Sequence, residues 1–458
     1  MTVLSPPGYV KQILERLINA GHTAYCVGGC VRDAIMGRPV RDWDVATSAL
    51  PEDVAKLFPK TALTGERFGT VTVIQAEGLV EVTTYRTEGN YNDARHPESV
   101  SFLGNLEDDL RRRDFTINAM ASSIAGEIRD MFGGCKDIEN RIIRCVGDPR
   151  VRFGEDALRM FRAFRFRAEL DFEIERVTLS AIAECASAAG NISAERVRAE
   201  LAMTLMSKKP EIAGEMIEAG LLDRYLAKLP ARLQIKTCQR AKCVMVPVPL
   251  THFLARIARL PSEPALRWSA FCAVLHDAGL IASPAEFLRS LKLDGRTIRA
   301  CSIKSSIWDG RGDTTGAIQM QARNETPENI GIKHMLAKHG ILATRCAAAA
   351  RDVAQADTMA DPHGSGEIAG FYPSDPQQWR EQAPALRCFD LVDEVIASGD
   401  CWSLKGLSVD GKDLIACGYP PGIELGKTLN ALLDRVIEHP EDNDRDTLLK
   451  LANRIIML

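Results

Sequence analysis

Gly28-Gly29-Cys30-Val31-Arg32-Asp33, followed shortly by Arg41-Asp42-Trp43-Asp44, is the stretch on which the architecture of this chain turns. The residues before it, His22–Val27, form a β-rich run. The two glycines interrupt that run, and Val31–Met36 reads as a helix that Gly37 stops. Glycines between a strand and a helix let backbone N–H groups come close to a polyanion, and the helix N-terminus favours negative charge. Arg32 can add a charge-assisted contact to a phosphate. The ordinary alternative is a tight turn with a surface Arg–Asp pair, and Gly28 and Gly29 alone do not separate the two. Trp43–Thr47 reads as a short strand. Residues i and i+2 of a strand face the same side, so Asp42 and Asp44 aim two carboxylates at one place. Like charges so placed repel unless a cation lies between them, and oxygen ligands suit Mg²⁺.

Further along, Val71–Gln75 and Leu79–Tyr85 are β-rich runs joined at Glu77-Gly78, a hairpin signal. Glu81 opens the second run and can supply a third carboxylate from a neighbouring strand. Thr87 to Glu98 is polar and reads as a loop. Arg111-Arg112-Arg113-Asp114-Phe115-Thr116-Ile117-Asn118-Ala119 pairs a basic run with apolar anchors. It suits a triphosphate or an RNA backbone, or equally a helix with a solvated entry. The segment Asp114–Ser123 is helix or strand on pattern alone. After Pro149 the chain turns helical. On a helix over Glu155–Leu170, Asp156, Arg159, Arg162 and Arg165 recur every three residues on one broad face, while Leu158, Phe161 and Phe164 face a core. Three arginines against one acid leave positive charge for a phosphate or base. Ala356–Gln382 is rich in Pro, Gly, Asp and Ser and reads as a linker.

The bulk composition excludes several classes. With 458 residues the chain has room for three or four domains, and 46% hydrophobic with 26% charged residues is ordinary globular usage. The formal net charge of −4 means that any RNA surface must be a local basic patch. The 13 cysteines lie singly, with no Cys-x-x-Cys, which fits a reducing compartment rather than a disulfide scaffold. The N-terminal apolar pattern is interrupted by Lys11, Glu15 and Arg16, an amphipathic helix and not a signal peptide. No stretch approaches the roughly 18–20 apolar residues of a membrane span. The expectation is a cytoplasmic protein with no membrane partner.

Together these segments resemble the bacterial-type (class II) tRNA nucleotidyltransferase and poly(A) polymerase family. To the lines above the resemblance adds Thr64-Gly65-Glu66-Arg67-Phe68-Gly69-Thr70-Val71, Glu81-Val82-Thr83-Thr84-Tyr85-Arg86, and Tyr91-x-Asp93-x-Arg95-His96-Pro97. It also takes in Asp148-Pro149 with Arg152-Phe153-x-Glu155-Asp156, Arg165-Phe166, and Ile192-Ser193-Ala194-Glu195-Arg196-Val197. Leu407 to Leu433, with Gly411-Lys412-Asp413-Leu414, Pro421-Gly422 and Gly426, resembles the tRNA-binding tail of the CCA-adding branch. The resemblance implies an α+β fold: a polymerase-β-like head with a small mixed sheet, then all-α neck, body and tail. The implied segments are residues 1–145 (head), 146–225 (neck), 226–355 (body) and 356–458 (linker and tail). By the same resemblance Asp42 and Asp44 are the Mg²⁺ ligands and Glu81 the third catalytic acid. Gly29, Arg32 and Arg113 match its nucleotide-binding positions in the head, with Gly28, Asp114 and Asn118 as further nucleotide-binding candidates there, and Asp156, Arg159, Arg162 and Arg165 match those in the neck.

The implied activity is template-independent addition of CMP and AMP, from CTP and ATP, to the 3′-hydroxyl of tRNA, bound by its 3′ end and acceptor arm. The base choice has a chemical basis. Cytosine N4 and adenine N6 are amino donors where uracil and guanine carry acceptors. A carboxylate such as Asp156 accepts from that amino group, and Arg159 donates beside it. Tyr91–Pro97 resembles the loop that full CCA enzymes carry and CC-adding enzymes lack. The nearest alternatives are a poly(A) polymerase or an A-adding enzyme of the same family. His276-Asp277 raises a metal phosphohydrolase, for which no complete ligand set is evident.

Overall fold

The computed structural model describes residues 4–65, 69–88, 100–101, 105–227, 234–239, 242–247, 250–302, 327–354 and 387–456. They fall into two compact units, Met1–Thr204 with Glu215–Arg224, and Leu205–Gly214 with Tyr225–Leu458.

The first unit opens with α1 (Gly8–Asn19), whose Val10, Ile13, Leu14 and Leu17 repeat at helical spacing and are fully buried. Then come β1 (Ala24–Val27), α2 (Gly29–Ile35), β2 (Trp43–Thr47), α3 (Pro51–Leu57), β3 (Thr61–Gly65), β4 (Thr70–Ile74) and β5 (Leu79–Thr84). A short pair, β6 (Thr87–Glu88) and β7 (Val100–Ser101), precedes α4 (Leu106–Arg111), β8 (Met120–Ser122), β9 (Ile128–Asp130) and α5 (Gly134–Glu139). The seven-stranded sheet runs β3-β4-β5-β2-β1-β8-β9 and is mixed: β2 and β5 pair in parallel, the other neighbours antiparallel. Trp43 and Val45 of β2, and Val80 and Val82 of β5, join the core under α1 and α3. Period-2 alternation therefore turns Asp44 and Glu81 to the other face. The edge strand β3 escaped the sequence pattern, because its residues Thr61-Ala62-Leu63-Thr64-Gly65 show no run of apolar alternation.

A parallel pair, β10 (Ile142–Ile143) with β11 (Glu173–Ile174), ties the end of the head to the neck. Between them lie α6 (Pro149–Glu155) and α7 (Leu158–Leu170), followed by α8 (Arg176–Cys185) and α9 (Ala194–Met206). One expectation is corrected here. The helix over Glu155–Leu170 is not continuous: Asp156 has extended backbone, φ −145° and ψ 102°, and α7 begins only at Leu158. Asp156 thus stands ahead of the helix that carries Arg159, Arg162 and Arg165. Its carboxylate accepts from Leu158 N–H at 3.1 Å, so the acid marks a helix start rather than a helix face.

Among the described residues the second unit is mostly helical and holds a hairpin, Gln234–Gln239 against Lys242–Pro247. Pro264–Asp277 packs on Ile341–Ala354, and Arg267 donates to the carbonyls of Leu205, Ser207 and Leu260. Near the C-terminus, Leu414, Tyr419, Leu432, Val436 and Leu448 form a separate small core. His276 and Asp277 are half exposed at the end of their helix, Nδ1 to Oδ1 3.4 Å apart. Among the described residues no helix is long and apolar enough to cross a membrane.

Candidate active site

The glycine turn positions the first cluster. Gly28 has φ 79°, a backbone region that side chains rarely adopt, and caps α2. A Cβ there would sit 2.8 Å from Arg113 Nη1 and 3.9 Å from Asp44 Oδ2. Only glycine lets the Arg113 guanidinium lie against this turn beside the acid. Asp44 and Glu81 are direct partners in the parallel β2–β5 register, and Asp42 precedes β2 with the same parity. Burial pushes the Asp44 carboxyl up to about 6; Arg113 opposes this, and the charges of Glu81 and Asp42 reinforce it. The acids repel one another across an open face. Among the described residues no group of three or more His, Cys, Asp or Glu is gathered to hold a metal, so the three acids share a face without closing on one point.

The donors for this cluster come from α4 and the segment after it. Asp109 is fully buried and receives Arg112 at 2.6 Å and Arg113 at 3.1 Å. Burial raises its carboxyl, but the two guanidiniums outweigh that and hold it below the usual range. Arg113 is thereby aimed by an acid that the basic run did not advertise. Its Nε is buried with no hydrogen-bond partner, a donor that an incoming phosphate oxygen would satisfy. Thr116–Asn118 forms a 3-10 turn held by Asp137, which accepts from Thr116 Oγ1 at 2.6 Å.

From there a polar chain runs to the neck. Arg32 donates to Asp33 at 2.9 Å and to Asn118 Oδ1 at 2.7 Å; Asn118 donates to Asp114 at 3.2 Å; Arg162 of α7 donates to Asp114 at 2.7 Å. Burial works against the Asp114 charge, but Arg162, Asn118 and the Phe115 N–H overcome it and hold the carboxyl down at about 2. Glu200 of α9, also buried, faces Arg165 at 2.6 Å and Arg162 at 3.9 Å. Arg159 reaches Glu155 and the carbonyls of Arg152, at 3.1 Å, and Arg112, at 2.8 Å. Both oxygens of Asp156 receive the Arg196 guanidinium, at 3.1 and 2.7 Å.

The sequence-derived residues therefore fall into two groups. Asp42, Asp44, Glu81, Gly28, Gly29, Arg32 and Arg113 collect around the β1–α2 turn. Asp114 and Asn118 link them to Arg162, with Arg165 beyond it, while Asp156 and Arg159 bracket the start of α7. Sequence reading missed Asp109, Glu155, Arg196 and Glu200 as partners of these groups. Asp109 stands at i,i+3 and i,i+4 from its arginines and was findable on helical spacing. Arg196 and Glu200 come from a distant helix, and no local pattern reports such pairing.

A family model described as the poly A polymerase head domain matches residues 24–144, and another, a probable RNA and SrmB-binding site of polymerase A, matches residues 171–231. The chain is 34% identical to the CCA-adding enzyme of Limosilactobacillus fermentum over 448 residues, 97% of this chain and 96% of that one. It is 51% identical to the CCA-adding enzyme of Lactobacillus helveticus over 197 residues, 43% of this chain and 49% of that one. The crystal structure of the Bacillus stearothermophilus CCA-adding enzyme in complex with CTP is similar over 99% of both chains, with a TM-score of 0.67 at 31% identity.

Proposed function

Because this chain belongs to the family of CCA-adding enzymes, we propose that its site works as follows. The protein is a tRNA nucleotidyltransferase: it transfers CMP and AMP from CTP and ATP to the tRNA 3′-hydroxyl and releases pyrophosphate. The observation that carries the reading is the polar chain from Arg32 to Arg162, which joins an acid-and-arginine cluster in the head to the neck helix within one unit.

Gly29, Arg32 and Arg113 bind the triphosphate, Arg113 through donors that Gly28 allows beside Asp44. The mutually repelling carboxylates of Asp42, Asp44 and Glu81 and their all-oxygen donor set fit a hard divalent cation. Asp42 and Asp44 would hold Mg²⁺, which when bound supplies the charge that lowers the pKa of the 3′-hydroxyl and offsets that of the leaving pyrophosphate. Glu81 completes the acidic face opposite Asp44. The protein's part is positioning and charge stabilisation. In the neck, Asp156 is oriented by Arg196 and retains one acceptor lone pair, on Oδ2, for the amino group of cytosine or adenine. Arg159, held by Glu155, donates beside it. Uracil and guanine present the wrong polarity and leave buried groups unpaired, at roughly 1–3 kcal/mol each. Arg162 and Arg165 add positive charge along the nucleotide. Residues 226–355 serve as body, and 356–458 as linker and tRNA-binding tail; the work is cytoplasmic.

The deciding experiment is incorporation on tRNA truncated at its 3′ end, with CTP alone, ATP alone and both. The expected pattern is CC with CTP alone and full CCA with both; A-only extension would return the chain to a poly(A) or A-adding activity. Tyr91–Pro97 lies outside the described residues. On its resemblance to the loop of full CCA enzymes, its deletion in the same assay is expected to stop synthesis at CC.

A further inference from the structure

Phe166 stands where three arginines from two parts of the first unit meet. Its side chain is 3% exposed. The Arg32 Cζ, from α2 in the head, is 5.2 Å from the ring centroid, and the Arg162 and Arg165 Cζ, from α7, are 5.2 and 4.2 Å away. The Phe115 ring meets it edge-on, centroids 5.8 Å apart and planes at 87°. Three like charges around one point repel. Asp33, Asp114 and Glu200 compensate them from outside, and the negative face of an aromatic ring compensates them from within. An aliphatic side chain would fill the space but supply no quadrupole. The ring touches both halves of the proposed nucleotide site and lies outside its hydrogen-bond chain.

We propose that Phe166 is a positioning residue for nucleotide binding: its ring holds the phosphate-side Arg32 and the neck-side Arg162 and Arg165 at one spacing, so that the triphosphate and the base are gripped together. This rests on the reading of those arginines as nucleotide contacts. The ring acts through them and does not itself touch the reacting atoms. The pair Arg162–Arg165 alone would give the neck its charge; the ring ties that charge to Arg32 alongside the hydrogen-bond chain through Asn118 and Asp114.

The test replaces Phe166 with mono-, di- and trifluorophenylalanine, which keep the shape and progressively weaken the quadrupole. CTP and ATP affinity is read by calorimetry, KM and kcat by incorporation on truncated tRNA, and folding by melting temperature. The expected result is a graded loss of affinity, roughly tenfold across the series, shared by CTP and ATP, with kcat within about twofold. Affinity that stays flat across the series overturns the proposal, as does a fall in melting temperature with unchanged affinity, which would make the ring a packing element only. If the trifluoro protein does not fold, the slope is taken from the milder substitutions. Failure of the unsubstituted protein to add C and A would instead overturn the functional reading on which the proposal stands.

Discussion

At Gly28 a missing carbon atom sets the geometry of the site. The residue combines φ 79° with an approach of 2.8 Å between its absent Cβ and Arg113 Nη1. Gly28→Ala is expected to push Arg113 away from Asp44 and lower kcat/KM for both nucleotides by roughly 10–100-fold, the worth of a charged hydrogen bond, with a stability loss of about 1–2 kcal/mol from the backbone conformation. Steady-state kinetics beside a melting curve check it; unchanged kinetics would remove Arg113 from the site. Asp114 carries a pH signature. Its carboxyl is held at about 2 in the folded state, below the ordinary carboxylate value near 4. A depressed pKa stabilises above the unfolded value and loses that effect as pH falls towards the folded one. Its charge is therefore expected to contribute about 2 kcal/mol at neutral pH, fading as pH drops from about 4 towards 2. Denaturant unfolding of wild type and Asp114→Asn should show a gap that is steady from about pH 7 to about pH 4 and narrows as pH falls from there towards about 2; a gap that stays constant over that lower range would mean that Asp114 is not charged as described. The residue types that do this chemistry were legible from the sequence, since glycine turns and carboxylate pairs are local features. Their partners Asp109, Arg196 and Glu200 were not read as such.

The break between α6 and α7 is the element that most changes the picture. A period of three from Asp156 to Arg165 suggests one helical face, yet Asp156 leaves the helix and accepts the Leu158 N–H, with α7 starting behind it. Propensity alone favours a continuous helix here; the pairing of Asp156 with Arg196 of α9 and its cap to Leu158 favour the break. Truncating Arg196 should free the Asp156 carboxylate that we propose selects the base. Arg196→Ala is expected to lower kcat/KM for CTP and ATP about tenfold or more and to raise misincorporation of UTP and GTP, measured by competition on truncated tRNA. Unchanged selectivity would make the pair a structural tie alone. The strands tell the opposite story. β2 and the β4–β5 hairpin follow their sequence signals closely, because half-buried strands must alternate to keep one face in the core. β3 carries no such alternation and joins the sheet through pairing with β4.

In the whole molecule, the residues proposed for catalysis and base selection all belong to the first compact unit. Nucleotide binding should therefore stabilise that unit selectively, by about 2.7 kcal/mol at a hundredfold excess over Kd. Hydrogen exchange with and without CTP is expected to show added protection in Met1–Thr204 and little in Pro264–Asp277 or Ile341–Ala354; uniform protection would count against a site confined to one unit. The formal net charge of −4 gives no hint of a polyanion partner, since the arginines that matter are few and clustered. By itself the sequence determined the mixed head, the helical remainder, the acids on one strand face and the basic residues that follow, because each is written in local spacing: period two, period three to four, and glycine punctuation. The tertiary structure alone decided that Asp156 leaves its helix to meet Arg196, that Glu200 faces Arg165, and that Phe166 gathers Arg32 with Arg162 and Arg165. Those outcomes depend on contacts between residues far apart in the chain, whose burial and charge compensation no local pattern encodes. The glycine turn at Gly28 and the acids beside it were thus legible from the start, whereas the linkage from that turn into the neck emerged only once the chain was folded.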